Sequence, residues 1–339
     1  MTVRTTLKWM VSVVLYYTGI VWLVRRLGRE AGTILIFHRV RDEWHDDGMS
    51  VSRATFERQV SHLSQAYDVV SLDEIVQRLS GVRRLGRRAL AITFDDGFRD
   101  NYTRAWPILA RHHCPATVFL AVGALDGDAP MWTEQLRAAV EATTADALDA
   151  TWLGLGILPL VGDAERRQSL RPLNGWLKHA PDREREQALA DIRRRLGLAA
   201  EPIARGNDEM LTWEMVAEMR SAGLSIGSHT VSHKILTRID LDEAQWEIEE
   251  SRRRIEKHLG ESIRHFAYPN GTSHDWNAET QTLVRQSGFE SACTTVKGTN
   301  PPGADLHALR RLDINDRACT DPWGRFSTAM FAVKLAALL

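Results

Sequence analysis

Short apolar runs alternate with longer amphipathic segments along most of the chain. From residue 32 onward the apolar runs are rich in β-branched side chains, and the segments between them repeat apolar positions at helical spacing. This alternation is typical of β-α-β units that build a mostly parallel sheet with helices outside it. Seven strands are predicted in this way, at residues 33–37, 90–94, 116–121, 224–227, 265–268, 290–294 and 310–314.

The segments between these strands predict helices, and the clearest covers residues 241–259. Asp240 precedes it as an N-cap, Ala244 and Ile248 begin its apolar face, and Gly260 follows as a stop signal. Residues 131–207 break the alternation with helical charge patterns and no convincing strand, which predicts a helical insertion. We therefore expect a barrel domain over residues 32–318 that includes this insertion, and a C-terminal helix over 319–339.

An uncharged apolar run covers residues 9–24 and is flanked by basic residues on both sides. As a helix it would be about 24 Å long, short of the ~30 Å hydrocarbon core of a bilayer. It fits a tilted span or a helix lying at the membrane surface, and a helix packed on the domain is the alternative. No small-residue cleavage site follows it, which argues against a secretory signal. We expect residues 1–31 to form a membrane-associated apolar helix; the flanking charges leave the side of the membrane open, with a cytoplasmic location slightly favoured.

Composition narrows the class of protein. The 339 residues are 44% hydrophobic and 26% charged, which suits a globular chain with a large core. The net charge of −1 provides no positive field for nucleic acid, so a nucleic-acid partner is not expected. The three cysteines form no CxxC pair, which indicates neither a disulfide framework nor a thiolate zinc site.

Reactive side chains follow four of the predicted strands. His38, Asp95 with Asp96, His229 and Asn270 each stand where a strand ends. In parallel α/β barrels the functional site is built at the carboxyl ends of the strands, so these residues are expected to converge.

The Asp95-Asp96 pair and the His229/His233 pair together predict a metal site. Adjacent carboxylates repel each other unless a cation or a proton relieves the repulsion, and two histidines four residues apart can face one ion. Separately, the first pair could be a solvated turn and the second a surface feature. Together they offer one carboxylate and two imidazoles, a ligand set suited to Zn²⁺.

Three motifs carry a resemblance to a known family. TFDDG at residues 93–97, SHTVSH at 228–233 and FAYPNG at 266–271 resemble, in order and spacing, the leading motifs of the polysaccharide deacetylases. These are the NodB-homology or carbohydrate esterase 4 proteins, and the resemblance covers residues 32–315. It implies a distorted (β/α)7 barrel and metal-dependent hydrolysis of the acetamide of N-acetylhexosamine residues, in a polysaccharide or a glycolipid.

The resemblance also implies roles for individual residues. Asp96, His229 and His233 match the ligands of one divalent ion, most simply Zn²⁺ with Co²⁺ or Ni²⁺ as alternatives, and Asp95 matches the catalytic base. The third motif, with Tyr268, Pro269 and Asn270, is expected to contribute to substrate binding and to stabilise the oxyanion. Trp132 and Trp276 are the candidate sugar-stacking residues among eleven tryptophans, although most tryptophans serve the core.

Two departures from the family pattern leave roles to be filled. Ala267 stands where the family usually has an arginine that holds the base, and Arg310 and Arg311 at the last strand are the candidates to replace it. Adjacent strand residues face opposite ways, and Arg311 is the one expected to point inward. The late histidine motif that usually supplies the general acid has no clear match.

We expect His38 to be the general acid, with a buried structural role as its alternative and His307 and His265 as weaker substitutes.

Two further hypotheses stay open at this stage. A metal-dependent hydrolase of the same fold could act on another acyl ester or C–N bond, and a chain lacking the usual arginine could bind glycans without turnover. The oligomeric state is not predicted.

Overall fold

The computed structural model describes residues 3–27, 30–43, 47–128, 130–199 and 209–336. Its strands, in chain order, are β1 (Thr33–Phe37), β2 (Arg39–Arg41), β3 (Ser50–Ser52), β4 (Asp68–Val69), β5 (Ala89–Phe94), β6 (Ala116–Leu120), β7 (Ala147–Asp149), β8 (Ile157–Pro159), β9 (Ser225–Ser228), β10 (His265–Ala267), β11 (Ser291–Lys297) and β12 (Leu309–Asp313).

Seven of these strands form a closed parallel barrel. They follow the order β1-β12-β11-β10-β9-β6-β5, and β1 pairs with β5 to close the ring, while β4 pairs with the first two residues of β5. Each of the seven predicted strands lies in this ring, with its ends shifted by a few residues at most. The predicted (β/α)7 barrel is confirmed.

Helices surround the barrel and account for most of the remaining chain. They are α1 (Val3–Tyr17), α2 (Ile20–Leu27), α3 (Arg53–Ala66), α4 (Leu72–Leu79), α5 (Trp106–Arg111), α6 (Val122–Asp126), α7 (Trp132–Ala142), α8 (Gly162–His179), α9 (Asp182–Arg195), α10 (Trp213–Ser221), α11 (Leu241–Leu259), α12 (Ala278–Gln286), α13 (Asp316–Cys319) and α14 (Thr328–Leu335). The helix predicted over 241–259 has these bounds in the structure. The Asp240 carboxylate accepts the Glu243 N–H at its start, and Gly260 ends it with a φ of 70°.

The segment between β6 and β9 forms a small unit with its own core. Apolar side chains of α7, α8 and α9 pack together, among them Leu136, Leu173 and Ile192, all 0% exposed. The expectation of an insertion without strands is wrong, because β7 and β8 form a short antiparallel hairpin. Three-residue strands are too short to show a two-residue alternation in the sequence. Residues 200–207 of the predicted insertion lie outside the described residues.

The N-terminal apolar run forms two helices rather than the single one predicted. The chain turns between α1 and α2 at Gly19, whose φ of 78° is the left-handed conformation that ends a helix, and the two axes are bent by 66°. Val21 is buried against Ala332 and Val333 of α14. Among the described residues no single helix is long and apolar enough to cross a bilayer, although this bent pair together meets the requirement by length and composition.

The C-terminal segment also differs from its prediction. A helix was expected over residues 319–339, but the residues after α13 first form a turn in which Thr320 and Phe326 pair, and α14 begins only at Thr328. Ser327 caps it by accepting the Met330 N–H. Residues 337–339 lie outside the described residues.

Candidate active site

The candidate site lies at the carboxyl ends of the barrel strands. Asp95 and Asp96 follow β5, and His229 follows β9. Asp96 and His233 have φ values of 76° and 59°, a backbone region that non-glycine residues rarely adopt. Strained conformations of this kind concentrate at functional sites, and here they turn the side chains toward one another.

Asp96, His229 and His233 form a compact and buried cluster. The Oδ1 atom of Asp96 lies 3.4 Å from Nε2 of His229 and 3.3 Å from Nε2 of His233. One ligand atom from each residue lies within 4.8 Å of the other two, and all three residues are buried. The structure therefore brings together the three ligands that the sequence predicted.

This cluster fits a divalent ion. Tetrahedral Zn²⁺ with bonds of about 2.0–2.1 Å holds its ligand atoms about 3.3 Å apart, close to the two spacings around Asp96. Within the described part of the chain, Asp96 Oδ1 is buried without a hydrogen-bond donor. An anionic oxygen in that position is costly unless a cation compensates it.

The two histidines of the cluster differ in their surroundings, and both settings suit a candidate metal ligand. Nδ1 of His229 lies 2.7 Å from the Ala267 carbonyl, so this nitrogen carries the proton and Nε2 is left to bind a metal. Burial lowers the pKa of His233 to about 3, since desolvation outweighs the attraction of Asp96. Its imidazole is therefore neutral at neutral pH, as a metal ligand must be.

The loop that carries the histidines is held by Glu247 of α11. This buried carboxylate accepts the N–H groups of Val231 and Ser232 at 2.8 and 2.9 Å, and also the Ser232 hydroxyl. On the other side, the Gly123 N–H donates to the Val231 carbonyl at 2.8 Å, and a Cβ at Gly123 would lie 2.9 Å from that oxygen. The close approach therefore requires glycine.

Asp95 is paired with Arg311 from β12. Both guanidinium nitrogens Nη1 and Nη2 donate to the carboxylate at 2.7 Å, and both side chains are almost completely buried. Arg311 Nε also donates to the Thr294 carbonyl at 2.8 Å, which fixes the guanidinium plane. Arg310 is exposed, so the two neighbours face opposite ways as expected from the strand. The structure thus makes the contact that Ala267 cannot make.

The charge state of Asp95 follows from these neighbours. Burial favours the neutral acid, but Arg311 and His229 outweigh it and hold the pKa of Asp95 below its ordinary value. The carboxylate is therefore ionised at neutral pH. Its Oδ2 lies 3.9 Å from Nε2 of His229, at the edge of the ligand cluster. A water in the cluster would be within reach of this base.

His38 lies directly after β1, whose neighbour β5 leads into Asp95. It is electrostatically coupled to Asp95, Asp96 and His233. Its Nδ1 is buried and has no hydrogen-bond partner among the described residues, and its carbonyl accepts from Asn101 Nδ2 at 2.9 Å. His38 is thus a fifth titratable side chain beside Asp95, Asp96, His229 and His233.

The two weaker substitutes for the acid lie at the other end of the barrel. His265 begins β10, with Nδ1 2.9 Å from Ser291 Oγ and Nε2 3.2 Å from the Asp73 carboxylate. His307 precedes β12, and its Nε2 lies 2.9 Å from the Phe289 carbonyl. The expectation that either could replace His38 is wrong, because both stand at strand starts.

The third motif contributes less free surface than expected. Tyr268 is 0% exposed and donates its hydroxyl to the His307 carbonyl, and Pro269 is buried as well. Asn270 has a φ of 56°, and its Nδ2 is buried without an acceptor among the described residues. Of the three motif residues, Asn270 is the one with a polar side-chain group left to bind a substrate.

The two candidate tryptophans occupy different environments. Trp132 is 6% exposed within the insertion core, where the Arg185 guanidinium covers its ring at 5.5 Å. Its face is therefore not available to a sugar ring, which corrects that expectation. Trp276 is partly buried and stacks on Tyr268 with ring centres 5.6 Å apart.

Several supporting residues were missed at the sequence level. Asp100 binds Arg39 Nε at 2.9 Å and the Val40 N–H at 3.0 Å, which fixes the segment after His38. Glu247 lies in the middle of a helix, where a glutamate normally indicates a solvated face. The sequence FRDN at residues 98–101 was the available signal for Asp100 and Asn101. The groups that these two side chains bind lie about 60 residues earlier in the chain, so the sequence did not reveal them.

Comparisons with known proteins agree with this geometry. The sequence profile of the polysaccharide deacetylase family matches residues 83–145 and 181–292, together just over half of the chain. YxkH of Bacillus subtilis (strain 168), which carries a provisional polysaccharide deacetylase name, is 20% identical over 298 residues, covering 88% of this chain and 76% of its own. The poly-β-1,6-N-acetyl-D-glucosamine N-deacetylase of Escherichia coli (strain K12) is 37% identical over 89 residues, 26% of this chain but only 13% of that enzyme.

A solved structure shows the same fold. The Streptococcus pyogenes deacetylase PplD, in complex with acetate, superimposes with a TM-score of 0.57 at 18% identity, covering 87% of this chain and 96% of its own. The family profile, the closed parallel barrel and the motif residues at its strand ends lead to one conclusion. The chain belongs to the polysaccharide deacetylase family, hydrolases that act on carbon–nitrogen bonds.

Proposed function

We propose that this chain is a metal-dependent N-deacetylase that removes acetyl groups from N-acetylhexosamine residues of a polysaccharide. The observation that carries the proposal is the buried Asp95–Arg311 pair beside the Asp96, His229 and His233 cluster. A base held ionised next to a metal-ligand set is the arrangement that hydrolysis of an unactivated amide requires.

The residues divide the chemistry among them. A divalent ion held by Asp96, His229 and His233, most simply Zn²⁺ with Co²⁺ or Ni²⁺ as alternatives, would supply Lewis acidity and make a water more acidic. Asp95 accepts the proton of the attacking water, and Arg311 keeps that carboxylate oriented. His38 donates a proton to the departing amine, and Asn270 binds the substrate.

The substrate class rests on similarity and on one aromatic side chain near the site. The Escherichia coli relative is named for poly-β-1,6-N-acetyl-D-glucosamine, so β-1,6-linked N-acetylglucosamine oligomers are the first substrates to try. Trp276 lies beside the third motif and is the remaining aromatic candidate for a sugar contact.

The test is an acetate-release assay on the purified chain loaded with Zn²⁺, Co²⁺ or Ni²⁺. Poly-β-1,6-N-acetylglucosamine and chitin oligomers are compared with an O-acetylated sugar ester. Release from an N-acetylated oligomer that is abolished by a chelator and restored by metal supports the proposal. Release from the ester alone would replace it with an esterase function, and retention of oligomers without any release would indicate a glycan-binding protein.

We also propose that the enzyme works at a membrane surface, held there by its N-terminal helices. A long run of exposed apolar side chains on α1 and α2 supports this location.

A further inference from the structure

The outer face of the N-terminal helices is apolar and exposed. Leu7, Val14 and Tyr17 on α1 are 57%, 57% and 79% exposed, and their spacing places them along one side of the helix. On α2, Leu23 and Leu27 are 46% and 72% exposed. Large exposed apolar side chains gathered on two adjacent helices make this face suited to a partner that excludes water.

A strongly basic groove adjoins this face. It has a volume of about 700 Å³ and is lined by five arginines against two acidic residues. The arginines are Arg25, Arg26, Arg84, Arg87 and Arg88, and the acids are Glu30 and Asp68.

Both acids are engaged, since Glu30 pairs with Arg84 and Asp68 with Arg78. The groove therefore keeps a surplus of positive charge.

Trp22 joins the two surfaces. It lines the groove, lies 5.1 Å below the Arg26 guanidinium and is 58% exposed. An amphipathic indole between an apolar face and a cluster of cations is the arrangement found at the boundary between acyl chains and headgroups. We infer that α1, α2 and this groove form a docking surface for an anionic phospholipid bilayer, with the helices lying in the plane of the membrane.

Packing on the barrel favours the in-plane arrangement over a span. The bend of 66° at Gly19 breaks the apolar run, and Val21 is buried on Ala332 and Val333 of α14. Arg25 donates to the Ala66 carbonyl and lies 4.1 Å from the centre of the Tyr67 ring. A straight span would have to break these contacts, whereas docking in the plane retains them.

The docking surface fixes which way the active site faces. The groove includes Asp68 and Ala89, the first residues of β4 and β5, while Asp95 and Asp96 follow the last residue of β5. The two ends of this six-residue strand are roughly 20 Å apart. The site therefore opens away from the lipid, toward glycan chains that extend from the surface rather than sugars attached directly to lipid headgroups.

Vesicle flotation tests the docking surface without any activity. The full chain is mixed with vesicles of phosphatidylcholine alone, or with one-third phosphatidylglycerol. We expect flotation with the anionic vesicles, at least about tenfold weaker binding to the neutral ones, and release by high salt. Equal binding to both, or no binding to either, overturns the inference. Retention on anionic vesicles in high salt and at alkaline pH would indicate a span and would also overturn it.

Two double variants separate the parts of the surface. Arg87→Glu with Arg88→Glu removes charge from the groove, and Leu7→Ser with Val14→Ser removes apolar contact. Each should weaken anionic binding by about tenfold or more. The control, Arg167→Glu with Arg183→Glu, makes the same change of charge on exposed residues of the insertion and should bind as the wild type does. Equal loss in the control, or none in the double variants that melt normally, contradicts the assignment.

Orientation is tested by acetate release from soluble oligomers, and this step rests on the proposed function. Rates should be unchanged when all of the enzyme is bound to anionic vesicles. Loss of activity on binding would show that the site faces the lipid and would overturn the orientation. A chain that floats as predicted but releases no acetate under any condition refutes the proposed function and leaves the docking surface intact.

Discussion

The side chains proposed to act in catalysis depend on partners that are distant in sequence. Asp95 and Arg311 are separated by 216 residues, yet the carboxylate and guanidinium meet in two hydrogen bonds of 2.7 Å. The identity of both residues could be predicted, because the strand pattern placed one arginine of a pair inward and the motif required a cation for its base. What the sequence did not reveal is the Thr294 carbonyl that fixes Arg311 Nε.

A lysine at position 311 tests the orientation of the base. Arg311→Lys keeps the charge but loses the paired hydrogen bonds, so Asp95 should be less well placed and turnover should fall by about 10²-fold. Metal content should stay close to one ion per chain. The matched control is Arg310→Lys on the exposed side of the same strand, which should be fully active. Full activity of Arg311→Lys would show that the paired hydrogen bonds of Arg311 are not needed to orient Asp95.

At the level of elements, helix α11 holds the loop that carries the two histidines of the site. The motif histidines could be predicted from their spacing, the nearby carboxylate pair and the family resemblance, but the acceptor that fixes their loop, Glu247, lies in α11. Helical periodicity shows which positions of α11 are apolar and cannot show that one acidic position points inward. Such partners become visible only when the barrel brings the elements together.

Removing the charge of Glu247 should weaken metal binding. In Glu247→Gln the negative charge is lost and only one oxygen remains to accept, whereas the wild-type carboxylate uses one oxygen for the two N–H groups and the other for the Ser232 hydroxyl. We expect metal affinity to fall by about 10- to 100-fold, the usual cost of losing a group that orients ligands. Titration calorimetry with Zn²⁺ measures this affinity. Glu249→Gln, on the exposed side of α11, is the control and should bind Zn²⁺ as the wild type does. Unchanged affinity would show that the loop is rigid without this contact.

The insertion is tied to the barrel by Glu209, which accepts from Arg39 and Arg137 at 2.7 Å each. Burial opposes the charge, but the two arginines lower the pKa of Glu209 to about 2. A carboxyl whose pKa is lowered by folding stabilises the folded state at pH values above its ordinary pKa of 4.5. This contribution is lost as the pH falls from 4.5 to about 2.

Glu209→Gln should therefore cost stability at neutral pH and little in acid. We expect a loss of about 1 kcal/mol in the free energy of unfolding at pH 7, because the carboxylate is partly exposed. The difference from the wild type should shrink as the pH falls below 4.5 and approach zero at about pH 2 and below. Denaturant unfolding at pH 7 and in acid measures this difference in the free energy of unfolding, with the exposed Glu249→Gln as control. A difference that does not change with pH would mean that Glu209 acts by packing rather than by charge.

For the whole molecule, ring closure determines which residues meet. The barrel strands were clearest where the apolar run is continuous and fully buried, as in β1, β5 and β6. The short β2–β3 pair and the β7–β8 hairpin could not be predicted, since three residues do not establish a period. The break in the N-terminal apolar run was missed because Gly19 fits inside an apolar helix as readily as at its end.

Deleting residues 1–28 should leave the barrel folded. The deletion removes the contact of Val21 with Ala332 and Val333, a small cluster separate from the main core. We expect a loss of about 2 kcal/mol in the free energy of unfolding, from the apolar area left uncovered, and a single cooperative melting transition. Binding to anionic vesicles should be lost at the same time. A truncated protein that is insoluble, or that lacks a cooperative transition, would show that these helices are part of the core.

Asp95 and Asp96, two adjacent carboxylates, are assigned different roles, and this division is the central claim to test. We would measure metal content and acetate release for Asp95→Asn and Asp96→Asn side by side, with thermal melting to verify that each is folded. Asp96→Asn should lose the ion, whereas Asp95→Asn should keep it and lose turnover by about 10² to 10⁴-fold, the scale of a missing general base. If Asp95→Asn loses the ion as readily as Asp96→Asn, or if Asp96→Asn retains a full complement of metal, the assignment of base and ligand is contradicted.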